Sequence, residues 1–203
     1  MLKSFAAALV MTGALAEAAG AAPTSRDPAR LPAGDYVLDS KHASLTAKLA
    51  HMGGFSNYAL RFDKLEGGFT YDPAALAATK VTISVDVASI HTGLPAFDKQ
   101  LLGETFLNAA QYPKMTFVST AVSAGPDGKG QVTGDLTFRG TTRPVTFDVS
   151  FNGFGPGLFG LGTRLGFSGT GQIKRSDFGM TNPAPKDAGD DVALQFEVEF
   201  TKK

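Results

Sequence analysis

The chain has 203 residues, enough for one large or two small domains, and its 19 basic and 19 acidic residues give a formal net charge of zero. This balance excludes the basic face that nucleic-acid phosphates require and the polybasic cluster that holds anionic lipid. The sequence contains no cysteine, which excludes disulfides, thiolate nucleophiles and a cysteine-linked lipid anchor. We therefore expect no nucleic-acid partner and a fold that is stable through its core alone.

The N-terminal residues have the pattern of an export signal. Lys3 supplies a positive start, residues 5–15 are apolar and rich in alanine, and Ala19-Gly20-Ala21 fits a small-x-small cleavage site. The apolar stretch is too short for a membrane anchor, so we do not expect a membrane-spanning protein; an uncleaved amphipathic helix is the alternative. The predicted parts are a cleaved signal peptide over 1–22, a flexible tether over 23–33 and a periplasmic domain over 34–203.

Most of the chain from about residue 35 to residue 201 alternates apolar and polar side chains, which predicts strands that face water on one side. The alternation is clearest in QVTGDLTFRGTTRPVTFDV, residues 131–149, where two runs flank a Gly- and Pro-containing corner and predict an antiparallel hairpin. Residues 97–110 lack alternation and predict one or two short helical turns. The predicted strands are 35–39, 43–51, 58–72, 80–88, 114–123, 130–139, 144–153, 161–174 and 192–201.

Eight or nine antiparallel strands form either a sandwich or a closed barrel. Small residues interrupt the apolar faces at Ala47, Gly134, Gly169 and Gly171. They either let the strands bend around a barrel or leave its interior unfilled. An outer-membrane barrel with its apolar face toward lipid is an alternative, but a chain with no Trp and four Tyr lacks the usual aromatic girdles.

Six segments, taken together and in order, resemble the YceI-like family of bacterial, often periplasmic, lipocalin-like barrels. They are YVLDSKHASL, HMGGFSNYALRFDKLEGGFTYD, VDVASIHTG, FLNAAQYPKMTFVST, TGDLTFRGTTRPVTFDV and IKRSDFGM, and they lie between residues 35 and 201. The resemblance implies an all-β fold, an extended antiparallel barrel of about eight strands with a short helical insertion near 97–110. It also implies a hydrophobic pore for an isoprenoid lipid, such as a polyprenyl phosphate or an isoprenoid quinone, and no catalytic residues.

The chain departs from the family pattern at three places near one end of the expected barrel. Ala47 replaces a common aromatic residue, Leu60 replaces a glycine before Arg61-Phe62, and Phe97-Asp98 with Gln100 replaces an Arg-Asp and His pattern. These changes alter volume and polarity at that end, so they bear on the length and head group of the ligand.

The predicted ligand-binding residues face the interior of the expected barrel, although each could equally fill a packed core. They are Leu45, Leu49, His51, Phe62, Phe69, Ile83, Val85, Phe117, Leu136, Phe138, Phe147, Val149, Leu165, Phe167, Phe196 and Val198. A charged head group would need donors at the mouth, for which the candidates are Arg61, Arg139, Arg143, Lys174 and Arg175; each could instead be a solvated or ion-paired residue. For Arg175 we expect a structural role, holding the last crossing loop.

The three histidines do not form a metal-ligand pair at short spacing, so we predict no metal site and no cofactor apart from a bound isoprenoid lipid. The leading hypothesis is a non-enzymatic periplasmic carrier or sequestering protein for that lipid. One alternative is a structural or partner-binding barrel with a filled core. Another is an enzyme on an apolar substrate that uses His42, His51 or Asp98 as acid or base. The sequence leaves the oligomeric state open, a homodimer included.

Overall fold

A computed structural model describes residues 24–184 and 186–203; the predicted signal peptide lies outside these ranges. Within them the chain forms ten strands and one α-helix, α1 (Pro95–Leu101), and no helix there is long and apolar enough to cross a bilayer. The strands are β1 (Gly34–His51), β2 (Ser56–Phe62), β3 (Leu65–Tyr71), β4 (Val81–Asp86), β5 (Ile90–His91), β6 (Lys114–Ala124), β7 (Lys129–Phe138), β8 (Thr141–Pro156), β9 (Thr163–Lys174) and β10 (Ala188–Lys202).

Eight of the described strands close into an antiparallel barrel in the order β1-β3-β4-β6-β7-β8-β9-β10, because β10 also pairs with β1. The remaining strands, β2 and β5, extend the wall at one end, where β2 pairs with the second half of β1. The predicted all-β barrel of about eight strands with a short helical insertion is confirmed. We call the end that carries α1 the α1 end.

Two predicted strand boundaries differ from the structure. The separate runs 35–39 and 43–51 form one strand, β1, whose register with β10 shifts between Leu38 and Ala43. The single predicted strand 58–72 divides at Asp63-Lys64, because β3 pairs with the first half of β1 whereas β2 pairs with its second half. Alternation is interrupted at both sites, by residues 39–42 and by Asp63-Lys64, but an interruption does not reveal whether a strand continues with a shifted register or ends.

The β7–β8 hairpin is confirmed, with a tighter turn than the predicted six-residue corner. The two connecting residues, Arg139 and Gly140, both have positive φ, 47° and 74°, as in the two-residue turns that match the twist of a hairpin. Thr141 to Pro144 already pair with β7. The turn therefore brings the inward-facing residues of both strands into register over the length of the hairpin.

The end of the barrel opposite α1 is covered by the segment that precedes β1, which we call the strap (residues 25–32). Ser25 bridges to Phe154 on β8, and Leu31 is buried in the core. The hydroxyls of Tyr71 and Tyr36 donate to the carbonyls of Pro28 and Pro32, at 2.9 and 2.6 Å. The expectation of a flexible tether is therefore wrong for the strap, because apolar and hydrogen-bonded contacts hold it against the barrel.

Candidate functional site

A cavity of about 800 Å³ lies inside the barrel and is lined by residues from both ends. Its walls come from every strand of the closed ring and from α1, and the lining is overwhelmingly apolar. The volume lies within the range of typical ligand sites, about 300–1,000 Å³. The interior is thus neither a filled core nor a water channel.

Three phenylalanine rings form a belt along the middle of this cavity. Phe117, Phe147 and Phe196 come from β6, β8 and β10, and neighbouring ring centroids are 5.4 and 5.6 Å apart in edge-to-face contacts. The strands between them carry inward-facing glycines, and each ring lies over one of these. A Cβ at Gly134 or Gly171 would come within 2.6 Å of a ring carbon of Phe117 or Phe147. The glycines therefore let the rings lie against the wall rather than across the axis.

Aromatic side chains narrow the barrel beneath the strap, where Pro28 and Leu31 of the strap also line the cavity. Phe69 on β3 contacts Phe167 on β9 across the barrel, with ring centroids 6.1 Å apart, and Phe200 contacts both. Leu165 is buried within this packed end and does not line the cavity, so its prediction as a lining residue is wrong. Its alternating position is the same as that of the lining residues, and only the local packing distinguishes it.

The other fifteen predicted residues line the cavity: Leu45, Leu49, His51, Phe62, Phe69, Ile83, Val85, Phe117, Leu136, Phe138, Phe147, Val149, Phe167, Phe196 and Val198. His51 is exposed at the α1 end, where its ring lies 6.1 Å from that of Tyr58. The structure brings these residues together around one space. Their contact with a ligand stays a prediction.

Sequence reasoning missed one wall of the cavity. Phe97 and Leu101 of α1, with Phe106 and Leu107 after it, line the space at the α1 end. This segment closes the barrel between β2–β5 and β6, and it has no period-two pattern to mark its inward face. The apolar content of the segment was the available signal. Ala47 and Leu60, two of the departures from the family pattern, pair directly across β1 and β2 and also line the cavity.

Four of the five cationic residues considered as head-group donors at the mouth of the barrel do not line the cavity. Arg61 pairs with Asp63, and Lys174 pairs with Asp191 at 2.8 Å. Arg143 donates to the carbonyl of its neighbour Thr142, and Arg139 donates to the carbonyls of Gly179 and Glu104. Hydrogen bonds and ion pairs outside the cavity therefore hold these side chains, although the Nε of Arg139 is buried without a hydrogen-bond partner among the described residues.

Arg175 is different, because it is only 3% exposed and lies in the cavity wall. It donates to four main-chain carbonyls, those of Met180, Pro183, Ala188 and Gly189, at 2.5–2.9 Å. These carbonyls belong to the segment that crosses from β9 to β10 and to the first two residues of β10. The expected structural role is confirmed, since one guanidinium fixes that crossing segment at the α1 end.

The histidines outside the cavity belong to ion-pair clusters. His42 donates from Nδ1 to Asp39 Oδ2 at 2.8 Å, and the two residues lie close to Glu199 on the outer surface. Arg164 contacts all three residues, with its Nη2 3.0 Å from Asp39 Oδ2. His91 Nδ1 lies 3.8 Å from Asp98 Oδ2, and Asp98 Oδ1 accepts from the Thr92 amide and hydroxyl. The Arg164 guanidinium already provides the counter-charge for the His42 cluster.

Two hydrogen-bonded carboxylates, Asp39 and Asp190, have pKa values below the ordinary value. Burial raises the pKa of Asp39, but hydrogen bonds from His42 and Lys41 and the charges of His42 and Arg164 outweigh it, so the pKa lies below the ordinary value. Beside Arg175, the hydrogen bond from Ser176 is the main cause that lowers the pKa of Asp190. Both acids face partners rather than the cavity, so they stabilise the wall and offer no acid or base to its contents.

Sequence comparison places relatives along nearly the whole chain. A "UPF0312 protein" of Pseudomonas savastanoi pv. phaseolicola is 36% identical over 199 residues, which is 97% of each chain. A "UPF0312 protein" of Vibrio cholerae is 39% identical over 165 residues, 80% of this chain and 86% of the relative. The aligned regions extend well beyond the six segments.

Solved structures share the barrel. Burkholderia cenocepacia BcnA superposes with a TM-score of 0.69 at 27% identity, over 80% of this chain and 98% of BcnA. A Campylobacter jejuni YceI protein gives 0.67 at 32% identity, over 73% and 87% of the two chains. A domain of Saccharophagus degradans described as polyisoprenoid-binding gives 0.63 at 18% identity, over 83% and 98%, which shows the fold alone. Since residues 36–200 also match the YceI-like domain, the chain belongs to the YceI-like family.

Proposed function

We propose that this protein binds an isoprenoid lipid inside its barrel and carries or sequesters that lipid in the periplasm. The observation that carries the proposal is the apolar cavity of about 800 Å³, whose belt of rings lies against the wall and leaves the axis free. A barrel with a filled core would have no such space. An elongated hydrocarbon chain matches both the shape and the polarity of the cavity.

Burial of the chain alone would supply the affinity. Each buried CH₂ group contributes about 0.8 kcal/mol, so one five-carbon isoprene unit contributes on the order of 3–4 kcal/mol. A few units outweigh an association cost of roughly 4–15 kcal/mol. Binding therefore requires no charged contact, in agreement with the local partners of Arg61, Arg139, Arg143 and Lys174.

The family comparison supports a binding protein rather than an enzyme. The S. degradans domain with the same fold is described as polyisoprenoid-binding. Of the three groups suggested as acid or base, His42 and Asp98 lie in ion-pair or hydrogen-bonded clusters outside the cavity lining, whereas His51 lines the cavity at its exposed α1 end. Since only one of these three groups borders the apolar space, and it does so at the exposed end, the geometry favours storage or transfer of an unchanged ligand.

The periplasmic location rests on the export pattern of residues 1–22 and on the absence of cysteine from the chain. The ligand classes we propose are a polyprenyl phosphate and an isoprenoid quinone, which share a branched chain and differ in head group. The few polar groups at the α1 end, Gln100 and Asn182 among them, are the contacts available to a head group.

Native mass spectrometry of the protein recovered from an expressing bacterium tests the proposal. We expect an added mass that organic extraction releases and that fragments into five-carbon units. Delipidated protein should then take up added ubiquinone or polyprenol at one molecule per chain. Recovery of protein that carries no lipid and takes up neither compound would refute the proposal. Recovery from the periplasmic fraction with a shortened N-terminus tests the location.

A further inference from the structure

An exposed apolar patch adjoins the cavity at the α1 end. It consists of Met52 and Phe55 at the tip of the β1–β2 hairpin and Leu94 and Phe97 at the start of α1, and we call it the rim patch. Phe55 is 92% exposed, Leu94 59% and Met52 50%. Side chains of this size normally bury a large part of their area, so a cluster at one rim indicates a surface that meets a partner.

The two segments of the rim patch lie side by side. Arg61 on β2 pairs with His91 on β5, after which residues 92–97 run back along β2 toward the hairpin tip. The ring of Phe97 meets that of Tyr58 edge-on at 5.5 Å, which joins the two segments. Met52, Tyr58 and Phe97 also line the cavity. The apolar surface is therefore continuous from the exposed tip into the interior.

Neither segment carries a charge. Residues 52–60, MGGFSNYAL, and 92–97, TGLPAF, contain no Asp, Glu, Lys or Arg, although 19% of the chain is charged and fifteen average residues would carry about three such groups. Entry of these segments into a low-dielectric medium therefore costs no desolvation of charge. A protein partner would be expected to meet complementary charges here, whereas a lipid bilayer would not.

We propose that the rim patch inserts into the headgroup region of a lipid bilayer, so that the cavity opens onto the membrane. Phe55 is the leading side chain, because it stands at the tip beyond Gly53 and Gly54, whose positive φ of 70° and 100° form the turn. Binding comes from burial of apolar area and is insensitive to the charge of the lipid. The membrane-binding site is additional to the lipid-binding cavity, and it rests on the proposed function only for the identity of the bound lipid.

A single tryptophan provides the test, because the natural chain has none. Phe55→Trp places the only indole of the protein at the rim patch. Phe159→Trp places it at an equally exposed position, 89%, beside the exposed Leu161 in the uncharged loop between β8 and β9. This loop lies at the strap end, which a barrel docked by its rim patch holds away from the bilayer. With phosphatidylcholine vesicles that contain no isoprenoid, we expect a blue shift for Phe55→Trp, together with quenching by brominated acyl chains. We expect neither for Phe159→Trp.

A second measurement uses removal of the side chain. Phe55→Ser should weaken co-flotation with the same vesicles about tenfold or more, from the loss of one buried aromatic side chain, and Phe159→Ser should not. Emission of Phe55→Trp that lipid leaves unchanged, or equal shifts at both positions, would overturn the proposal. A blue shift that follows protein concentration without lipid would also overturn it and would assign the patch to a second copy of the chain.

The two proposals fail separately. Isoprenoid uptake from detergent is measured on delipidated protein without vesicles, and vesicle binding is measured without isoprenoid. Uptake without insertion would leave the cavity function and remove the docking surface. Insertion without uptake would leave the docking surface and remove the cavity function.

Discussion

The ring of Phe196 on β10 lies directly over Gly169 on β9, its partner in the antiparallel ladder. A Cβ at residue 169 would overlap that ring, and the same arrangement recurs where Phe147 covers Gly171. Rings from alternate strands thus occupy the space above glycines of the strands between them. This is how a barrel with aromatic walls keeps an open interior.

Gly169→Ala tests the arrangement. The added methyl group must displace the Phe196 ring toward the axis, and we expect a loss of stability of about 1–3 kcal/mol, as for other overpacked sites. Isoprenoid uptake should fall as well, because the displaced ring enters the space of the ligand. Urea denaturation and the uptake assay measure the two effects. Phe196→Leu in the same chain should restore part of both.

The matched control for this substitution is on the same strand. A Cβ at Gly166 would meet its nearest atoms at 3.7 Å, an ordinary contact, so Gly166→Ala should change stability by no more than about 0.5 kcal/mol. Equal effects at the two glycines would show that the ring does not depend on the missing side chain.

Ile83→Arg tests the route of the ligand. Ile83 faces the cavity from β4, and its neighbour Thr82 faces solvent. We expect Ile83→Arg to abolish isoprenoid uptake, because a guanidinium in the apolar lining carries a desolvation cost and fills the axis. Far-ultraviolet circular dichroism should retain the β signal. Thr82→Arg should leave uptake unchanged; uptake by both variants would place the ligand elsewhere.

The inward faces of most strands could be predicted from the sequence because a strand has a strict two-residue period. Ile83 and Phe147 follow from alternation alone, as does the closed sheet that a long series of such strands implies. The sequence does not show which inward-facing side chains border the open space and which are packed away from it. Leu165 and Val149 have equivalent positions in the pattern, yet one lies in the packed strap end and the other lines the cavity.

The strap and α1 show a second limit. Residues 25–32 have the composition of a linker, but the hydroxyls of Tyr36 and Tyr71 provide partners for its carbonyls. Phe97 and Leu101 likewise face the cavity, because α1 completes the wall of the barrel between β2 and β6. The contact of Tyr71 with Pro28 joins residues 43 apart, and no local pattern in the strap or in α1 encodes where either segment packs.

Arg175→Met tests the anchor of the crossing segment. The variant leaves four main-chain carbonyls without their donor in a largely buried site, and we expect a loss of about 3–5 kcal/mol in the free energy of unfolding. Urea denaturation measures it. Arg143→Met is the control: Arg143 is exposed and donates to one adjacent carbonyl, so its removal should cost no more than about 0.5 kcal/mol. Similar losses in both variants would contradict the anchoring role.

The raised pKa of Tyr36 predicts how the stability of the strap end changes at alkaline pH. Its phenol is buried, stacks on Phe69 at 5.2 Å and donates to Pro32. Burial first, and the nearby charge of Tyr71 second, raise the pKa of Tyr36 above its ordinary value near 10. The folded state therefore holds this proton more tightly than the unfolded state. The resulting stabilisation is fully present below about pH 10 and is lost as pH rises from there through the raised pKa.

Tyr36→Phe should consequently lower the stability at pH 7 and reduce the further loss of stability between pH 9 and pH 11. At pH 7 the variant loses the hydrogen bond to Pro32 and should be less stable by about 1 kcal/mol. Between pH 9 and pH 11 it should lose less stability than the natural chain, because one buried phenol no longer has to ionise. Urea midpoints at the three pH values measure both effects, with Tyr58→Phe on the rim as the control for removal of a phenol. Parallel pH curves for the natural chain and Tyr36→Phe would show that ionisation of Tyr36 does not limit the strap end.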